Sequence, residues 1–390
     1  MRPGHAGSPF RGLGEEARIC ARCGACRAVC PTYGQIGWES GSPRARLALA
    51  RRLSDAEGFG EEATRRALEC TLCGGCRERC PAGIDTRRFL LELREGIRAA
   101  GREPEAYRRV ASNLRERGNV GTFENTARAE WTEDVEDTSA LEAAGAQVGY
   151  FVGCVSSFYP MVAEIPISFA QLSSRMARPL GLLGADEVCC GFPLLLAGMQ
   201  REAEPLVRRN LEEVRKRGWR TLVTGCPSCF HTWKHLYPEV AGGELGFEVV
   251  HFTEYLGRCL EDGSLDLGEA EDLDEVVTYH DPCDLGRNSG LYDEPRDVIR
   301  RLPGVTLVEM AHHGDEALCC GGGGNLQSLD ANLTKSIADR RIREAAETGA
   351  SVLVSACQQC VQVLADAARR NKLRIEVLDL VQLVRRAVEG

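Results

Sequence analysis

The sequence predicts an α+β multidomain protein, a helical N-terminal module followed by two homologous α/β lobes. Three observations carry that prediction. Eight of the 19 cysteines fall in two identical runs between residues 15 and 100, a stretch with little strand signal. Residues 147–390 alternate short β-branched runs with segments of helical length, the pattern of layered α/β structure. Within that second region five cysteines recur at a near-constant offset.

Composition narrows the class. At roughly 100–200 residues per domain, a 390-residue chain holds two or three domains. Hydrophobic residues make up 43%, enough for sizeable cores. The net charge of -9 argues against a nucleic-acid partner, which needs a basic face. Met1–Ile19 lacks the apolar segment of a secretory signal, and no run approaches the ~20 apolar residues of a membrane span. The expected location is therefore cytoplasmic, with any peripheral place at the inner membrane face reached through a partner. Disulfides are rare there, and an odd cysteine count does not close a disulfide framework. Metal binding is the reading that remains.

In chain order, residues 1–100 form the helical module. Ser42 is placed as an N-cap with Pro43 at the first helical position, and that helix ends near Gly58. A second helix precedes Cys70, and a third runs from about Asp85 to Ala100. Residues 101–146 read as a polar helical connector, whose Trp131 and flanking acidic residues are taken as solvated. Residues 147–270 and 271–390 are the two lobes. Strands are expected at Val148–Val152, Thr221–Thr224, Val276–Tyr279, Thr306–Val308 and Val352–Val354, and long helices at Arg201–Arg217 and Leu326–Thr348. Cys154 maps onto Cys283 at an offset of 129, Cys189 and Cys190 onto Cys319 and Cys320 at 130, and Cys226 and Cys229 onto Cys357 and Cys360 at 131. A drift of two residues over five positions is the mark of a duplicated unit.

The N-terminal runs are Cys20-x2-Cys23-x2-Cys26-x3-Cys30-Pro31 and Cys70-x2-Cys73-x2-Cys76-x3-Cys80-Pro81. They resemble the bacterial ferredoxin run. A CxxCxxC turn wraps three thiolates around one corner of a four-iron cube, and in two-cluster ferredoxins the fourth comes from the other run. The resulting sets are Cys20, Cys23, Cys26 with Cys80, and Cys70, Cys73, Cys76 with Cys30. Gly24, Ala25, Gly74 and Gly75 let backbone N–H groups approach the sulfides. Zinc sites usually show paired CxxC units instead, so two 4Fe–4S cubanes are expected and a colourless zinc scaffold is not. The 39 residues between Cys30 and Cys70 make the module similar to the helical ferredoxins of succinate dehydrogenase iron–sulfur subunits.

Each lobe carries a lone cysteine, a Cys-Cys-Gly, and a CxxC that follows a buried-looking strand and opens a helix. Helix N-termini stabilise thiolates. Adjacent cysteines on a regular strand would face opposite ways, so the Cys-Cys pair belongs in a loop, with Gly191 or Gly321 allowing close approach. Five thiolates are one too many for a cubane. On these motifs the chain resembles the cysteine-rich "CCG" proteins. These include the B and D subunits of heterodisulfide reductase and the iron–sulfur subunits of glycolate oxidase and anaerobic glycerol-3-phosphate dehydrogenase. The segments His280–Arg287 and Cys319–Asn325, and the order of one ferredoxin module and two lobes, are similar to the layout of the heterodisulfide reductase D-type subunits. That resemblance implies up to two non-cubane 4Fe–4S clusters, one on Cys154, Cys189, Cys190, Cys226 and Cys229, the other on Cys283, Cys319, Cys320, Cys357 and Cys360. The second set, with His280, is also the candidate catalytic group.

The remaining features receive plainer readings. Gly321–Gly324 lacks the G-K-[ST] ending of a phosphate loop, and no GxGxxG follows a strand, so this chain is expected to hold no nucleotide or flavin. His280, His312 and His313 are read first as surface or hydrogen-bonded loop residues and second as proton suppliers. Arg287 is read as a surface arginine, with neutralisation of an anionic substrate or cluster as the second reading. Cys259 is a buried thiol outside every set. Two functions follow. In the first, electrons from a partner pass through the cubanes to the lobes and reduce a small-molecule disulfide. In the second, the chain only conducts electrons between an FAD-linked glycolate, lactate or glycerol-3-phosphate dehydrogenase and quinone. The expected partners are a flavoprotein dehydrogenase or a membrane cytochrome/quinone-reactive subunit; an FAD-linked partner marks the second function and a b-type membrane cytochrome the first.

Overall fold

The computed structural model describes residues 13–55, 60–142, 145–267 and 273–389. Its N-terminal part is helical, with Pro43–Asp55, Glu61–Leu68 and Thr86–Ala99 as the longer elements. Ser42 Oγ accepts from Ala45 N at 3.1 Å, the cap the sequence predicts, and Asp85, where the third helix is expected to begin, caps it by accepting from Arg88 N at 3.1 Å. The predicted end near Gly58 lies outside the described residues. The cysteine turns are nearly superimposable in conformation. Arg22 and Leu72, each just before the second cysteine of its run, are left-handed (φ 57° and 54°), and Gly24 and Gly74 follow at 87° and 78°. A left-handed non-glycine costs about 1–2 kcal/mol. The same strain at the same place in both runs marks a backbone shaped by what it wraps.

Two four-stranded parallel sheets follow. The first consists of β1 (Val148–Tyr150), β2 (Leu180–Leu182), β3 (Thr221–Thr224) and β4 (Glu248–His251) in the order β2-β1-β3-β4. The second consists of β5 (Glu275–His280), β6 (Val305–Leu307), β7 (Val352–Ser355) and β8 (Glu376–Asp379) in the order β6-β5-β7-β8. The orders are identical under the repeat. Each of the five predicted strands falls on an observed one. β2, β4 and β8 went unforeseen, because they are three- or four-residue edge strands, and β4 and β8 run directly into helices that mask their period. In each sheet the chain reverses its winding between the two central strands. A parallel sheet leaves a crevice at that point, beyond the carboxyl ends of the strands. Cys154 and Cys226 follow β1 and β3 there, as Cys283 and Cys357 follow β5 and β7.

Two expectations fail. The single helix expected over Leu326–Thr348 is two, Leu326–Leu329 and Ala331–Glu347. Asp330 breaks it at φ −147° and caps the second piece by accepting from Leu333 N at 2.9 Å. The connector keeps the acidic residues flanking Trp131 exposed, as expected, but Trp131 itself is not solvated. Its helix Glu105–Arg117 and the 3-10 stretch Asn125–Asp134 pack on the first sheet unit, with Trp131 only 5% exposed and edge-on to Tyr150 at 6.2 Å. The acidic residues hid an inward stripe of Arg128, Trp131 and Val135. The C-terminal helix Leu380–Glu389 reaches back onto Glu164–Arg175, where Arg385 donates to Gln171 at 2.6 Å. The two sheet units are thereby fastened together.

Candidate metal centres

All 19 cysteines are free thiols, and nearly all cluster. In the module, one small cavity is lined by Cys20, Cys23, Cys26 and Cys80, and another by Cys30, Cys70, Cys73 and Cys76. These are the crossed sets that the spacing predicts. The first is open to solvent at Cys23, whereas Cys30 and Cys73 of the second are buried. Burial pushes the Cys70 and Cys76 thiols up. A metal that replaces their protons relieves that penalty. Two buried guanidinium groups flank the second set. Arg46 donates to Arg66 O at 2.9 Å and to Thr32 Oγ1 at 3.2 Å. Arg94 donates to the carbonyls of Leu196, Gly324, Leu68 and Cys70 at 2.6–2.9 Å. Neither forms an ion pair with a carboxylate among the described residues. A buried cation of this kind wants an anion, and an iron–thiolate cluster in the adjoining cavity fits that need.

The lobes repeat one arrangement. Cys226 and Cys357 occupy the N-cap positions of Pro227–Ala241 and Gln358–Arg370, which puts Cys229 and Cys360 in the first turn. Cys190 and Cys229 sulfurs stand 3.4 Å apart, Cys320 and Cys360 sulfurs 3.2 Å. The Cys-Cys pairs sit in loops, each turned by a left-handed glycine (Gly191 φ 94°, Gly321 φ 88°). A Cβ at Gly321 would stand 2.7 Å from Thr334 O, so the turn needs glycine. Gly321 N and Gly322 N donate to Cys319 Sγ at 3.3 Å and Cys320 Sγ at 3.4 Å. Hydrogen bonds from Cys189 and Cys229 hold Cys190 down to about 6, and those from Cys319 and Cys360 hold Cys320 well below the usual thiol range. Cys226 in lobe one and Cys319 in lobe two are lowered as well, by hydrogen bonds from Cys229 and from Cys283, so each cysteine cluster favours the thiolate form at more than one sulfur.

The surroundings differ. In lobe one Arg128, from the connector, reaches Cys154 Sγ at 3.5 Å and pairs with Glu187 at 2.7 Å, both side chains being 1% exposed. Glu187 also accepts from Val152 N and Gly153 N at 3.0 and 2.9 Å, fixing the loop that carries Cys154. Sequence reasoning missed Arg128; its only signal was the helical phase it shares with Trp131 and Val135. In lobe two, a ring nitrogen of His280 lies within 4.8 Å of Cys320 and Cys360 Sγ. Arg287 is not a surface residue. It is buried and donates to Cys73 O at 2.7 Å and Ala317 O at 2.8 Å, while Arg77 donates to Arg287 O at 2.5 Å. Gly323 and Gly324 lie flat on Cys70–Thr71, where a Cβ at Gly324 would collide with both residues. The glycine run is therefore a seam between lobe two and the module. The His312 side chain bonds Glu344 of the helix Ala331–Glu347, the His313 side chain bonds Met310 O in its own loop, and Cys259 is fully buried in Phe252–Glu261.

Between the lobes lies a cavity of about 430 Å³. Nine of the ten lobe cysteines line it; the tenth, Cys319, does not. Val110 and Val120 of the connector, Phe192 and Leu196 supply apolar wall, and Asn325, Gln327, Gln359 and Gln362 supply polar groups. Asp284 is its one charged side chain among the described residues.

Comparison with known proteins matches this geometry. A cysteine-rich domain model covers residues 148–234 and again 277–365, and a 4Fe–4S dicluster domain model covers 16–84. The chain is 33% identical to the D-type polypeptide of the dihydromethanophenazine:CoB–CoM heterodisulfide reductase of Methanosarcina acetivorans, over 96% of this chain and 94% of that protein. It belongs to that family. The Methanosarcina barkeri counterpart is 31% identical over the same shares. An EtfAB:quinone oxidoreductase of Syntrophomonas wolfei is 26% identical over 95% of this chain and 58% of its own length. The protein is an iron–sulfur electron-transfer oxidoreductase subunit. No helix among the described residues is long and apolar enough to cross a membrane.

Proposed function

We propose that the protein reduces a small-molecule disulfide in the cavity between its lobes, with electrons delivered by a partner at the module. The observation that carries this reading is the cavity itself: a space of about 430 Å³ lined by nine cysteines of the two five-cysteine sets, which approach it from beyond the carboxyl ends of the central strands of both sheets. The module would hold two cubanes on the crossed sets, and each lobe one non-cubane cluster on its five cysteines. When bound, these clusters supply electrons one at a time and iron to which a thiolate can bind.

The chain's own residues do the rest. Val110, Val120, Phe192 and Leu196 exclude water from the body of the substrate, and the amides of Asn325, Gln327, Gln359 and Gln362 offer donors and acceptors that orient it. Cleaving the S–S bond consumes two electrons and yields two thiolates. The seam of Gly323, Gly324 and Arg287 against Cys70–Cys73 makes lobe two the nearer neighbour of the buried module set. The exposed set at Cys23 is the side on which a partner would deliver electrons.

The test is an anaerobic preparation of the native chain. Four four-iron clusters predict about 16 Fe with matching sulfide, and a reduced viologen dye should drive disulfide reduction. Zinc in place of iron, or full iron content with no turnover of any disulfide, overturns the proposal. The second outcome would favour pure conduction between a flavoprotein and quinone, a reading supported by the quinone oxidoreductase relative. Co-purification from the host separates the two, since a bound flavoprotein favours conduction and a membrane cytochrome favours disulfide reduction.

A further inference from the structure

His280 ends β5, three residues before Cys283, and is 1% exposed. Its Nδ1 accepts from Arg341 Nε at 3.0 Å. Ordinarily a histidine tautomer is an assignment, because either ring nitrogen can carry the proton. Here the partner settles it. A guanidinium has only donors and does not give up its proton, so Nδ1 must present a lone pair. The ring is therefore neutral, and its one proton sits on Nε2. Arg341 cannot swing away, being fully buried and held from its far side by Glu344 at 2.7 Å and His312 O at 2.9 Å. Glu344 is itself braced by His312 Nδ1 at 2.7 Å and His312 N at 2.8 Å. The brace runs from an exposed histidine inward to the ring, and the ring stands beside Cys320 and Cys360.

Lobe one has no counterpart. Three residues before Cys154 stands Phe151, packed edge-on against Trp233 at 5.4 Å.

We propose that Arg341 is a positioning residue that fixes His280 as an Nε2–H donor to the sulfurs of Cys320 and Cys360, and so raises the reduction potential of the lobe-two centre. Hydrogen bonds to cluster sulfurs stabilise the more negative, reduced form. His280 on this account is a permanent dipole and not a proton source: its second nitrogen is blocked, so it does not become imidazolium in place. The inference rests on the proposal that lobe two carries a cluster.

The experiment is a potentiometric titration of the anaerobically purified full chain, followed by EPR. The lobe-two signal is identified as the one lost in Cys360→Ser, and the lobe-one signal as the one lost in Cys229→Ser. In His280→Phe, which copies lobe one, the reduced-to-oxidised ratio of the lobe-two centre at fixed poise should fall about tenfold, or about 59 mV for a one-electron couple. The lobe-one signal should stay in place. Arg341→Met should shift the lobe-two centre the same way, and Arg341→Lys, which keeps a donor, should restore part of the shift. Retention of the cluster in His280→Gln keeps the test valid should the phenylalanine variant fail to load. An unshifted potential in a fully loaded His280→Phe overturns the inference. So does a shift there with none in Arg341→Met, or loss of the cluster from both His280 variants, which would make His280 a ligand. Absence of any lobe-two signal from the unmodified chain overturns the underlying cluster proposal instead.

Discussion

Lobe one and lobe two share strand order, cysteine spacing and the left-handed glycine after the Cys-Cys pair, yet almost nothing around those cysteines is shared. Lobe one borrows Arg128 from the connector and buries it against Glu187 beneath Cys154. Lobe two uses its own His280 and Arg341, and meets the module through Arg287 and a glycine seam. The duplicated parts are those that hold sulfur; the diverged parts set charge, hydrogen bonding and neighbours. Duplication thus supplies two like sets of cysteines, and on the proposed cluster assignment the residues around them would give the two centres unlike potentials.

The sharpest break of the comparison comes from ligand removal. Cys229→Ser and Cys360→Ser should each abolish one centre and leave the other, taking iron from about 16 to about 12 per chain by colorimetric analysis. Equal loss from both lobes in either variant would mean that the lobes are not separate sites. Gly324→Ala comes next. Its Cβ collides with Cys70 and Thr71, so the seam must open. Stopped-flow reduction of the lobe-two centre should slow by an order of magnitude or more while that of the module does not.

Arg128→Met tests lobe one through stability. It leaves Glu187 buried without its cation, which costs about 3–5 kcal/mol and should appear as a lower urea midpoint. Unchanged stability would remove the connector from the architecture of lobe one.

The gentlest effect per pH unit is also the most diagnostic of divergence. The last strand of each sheet ends on a buried residue that caps the next helix: His251 in lobe one, Asp379 in lobe two. Burial takes His251 down to about 3 and Asp379 up to about 7. A lowered histidine favours the folded state when neutral, so lobe one loses stability as pH falls below the unfolded value of about 6.5. A raised carboxyl favours the folded state when protonated, so lobe two loses stability as pH rises from about 4 to about 7. Each slope is at most about 1.4 kcal/mol per pH unit. The two slopes oppose each other over about pH 4–6.5, so thermal unfolding across pH 4–8 should show a loss on acidification exposed in Asp379→Asn and a loss with rising pH exposed in His251→Asn.

What the sequence made legible was whatever obeys spacing. The crossed module sets, the repeat, the CxxC helix starts and the central strands all follow from short-range pattern. Arg128 was hidden because its partner Glu187 is 59 residues away, and Trp131 because its neighbours in sequence are acidic. Arg287 looked like any arginine, since its three acceptors are carbonyls contributed by other segments. The helix break at Asp330 was masked by apolar residues that keep helical phase on both sides. Pairings across the fold leave no local trace, and they are where the two lobes differ.

Arg94 spreads its four hydrogen bonds over the module, lobe one and lobe two, and meets no carboxylate among the described residues. Left bare, that guanidinium would cost several kcal/mol in the closed molecule; beside an anionic cluster at Cys70 it does not. On the cluster assignment proposed above, inserting the second cubane and docking the three units are thermodynamically coupled. Biogenesis then has its own bias, because loading favours the closed form in which the lobes and module meet.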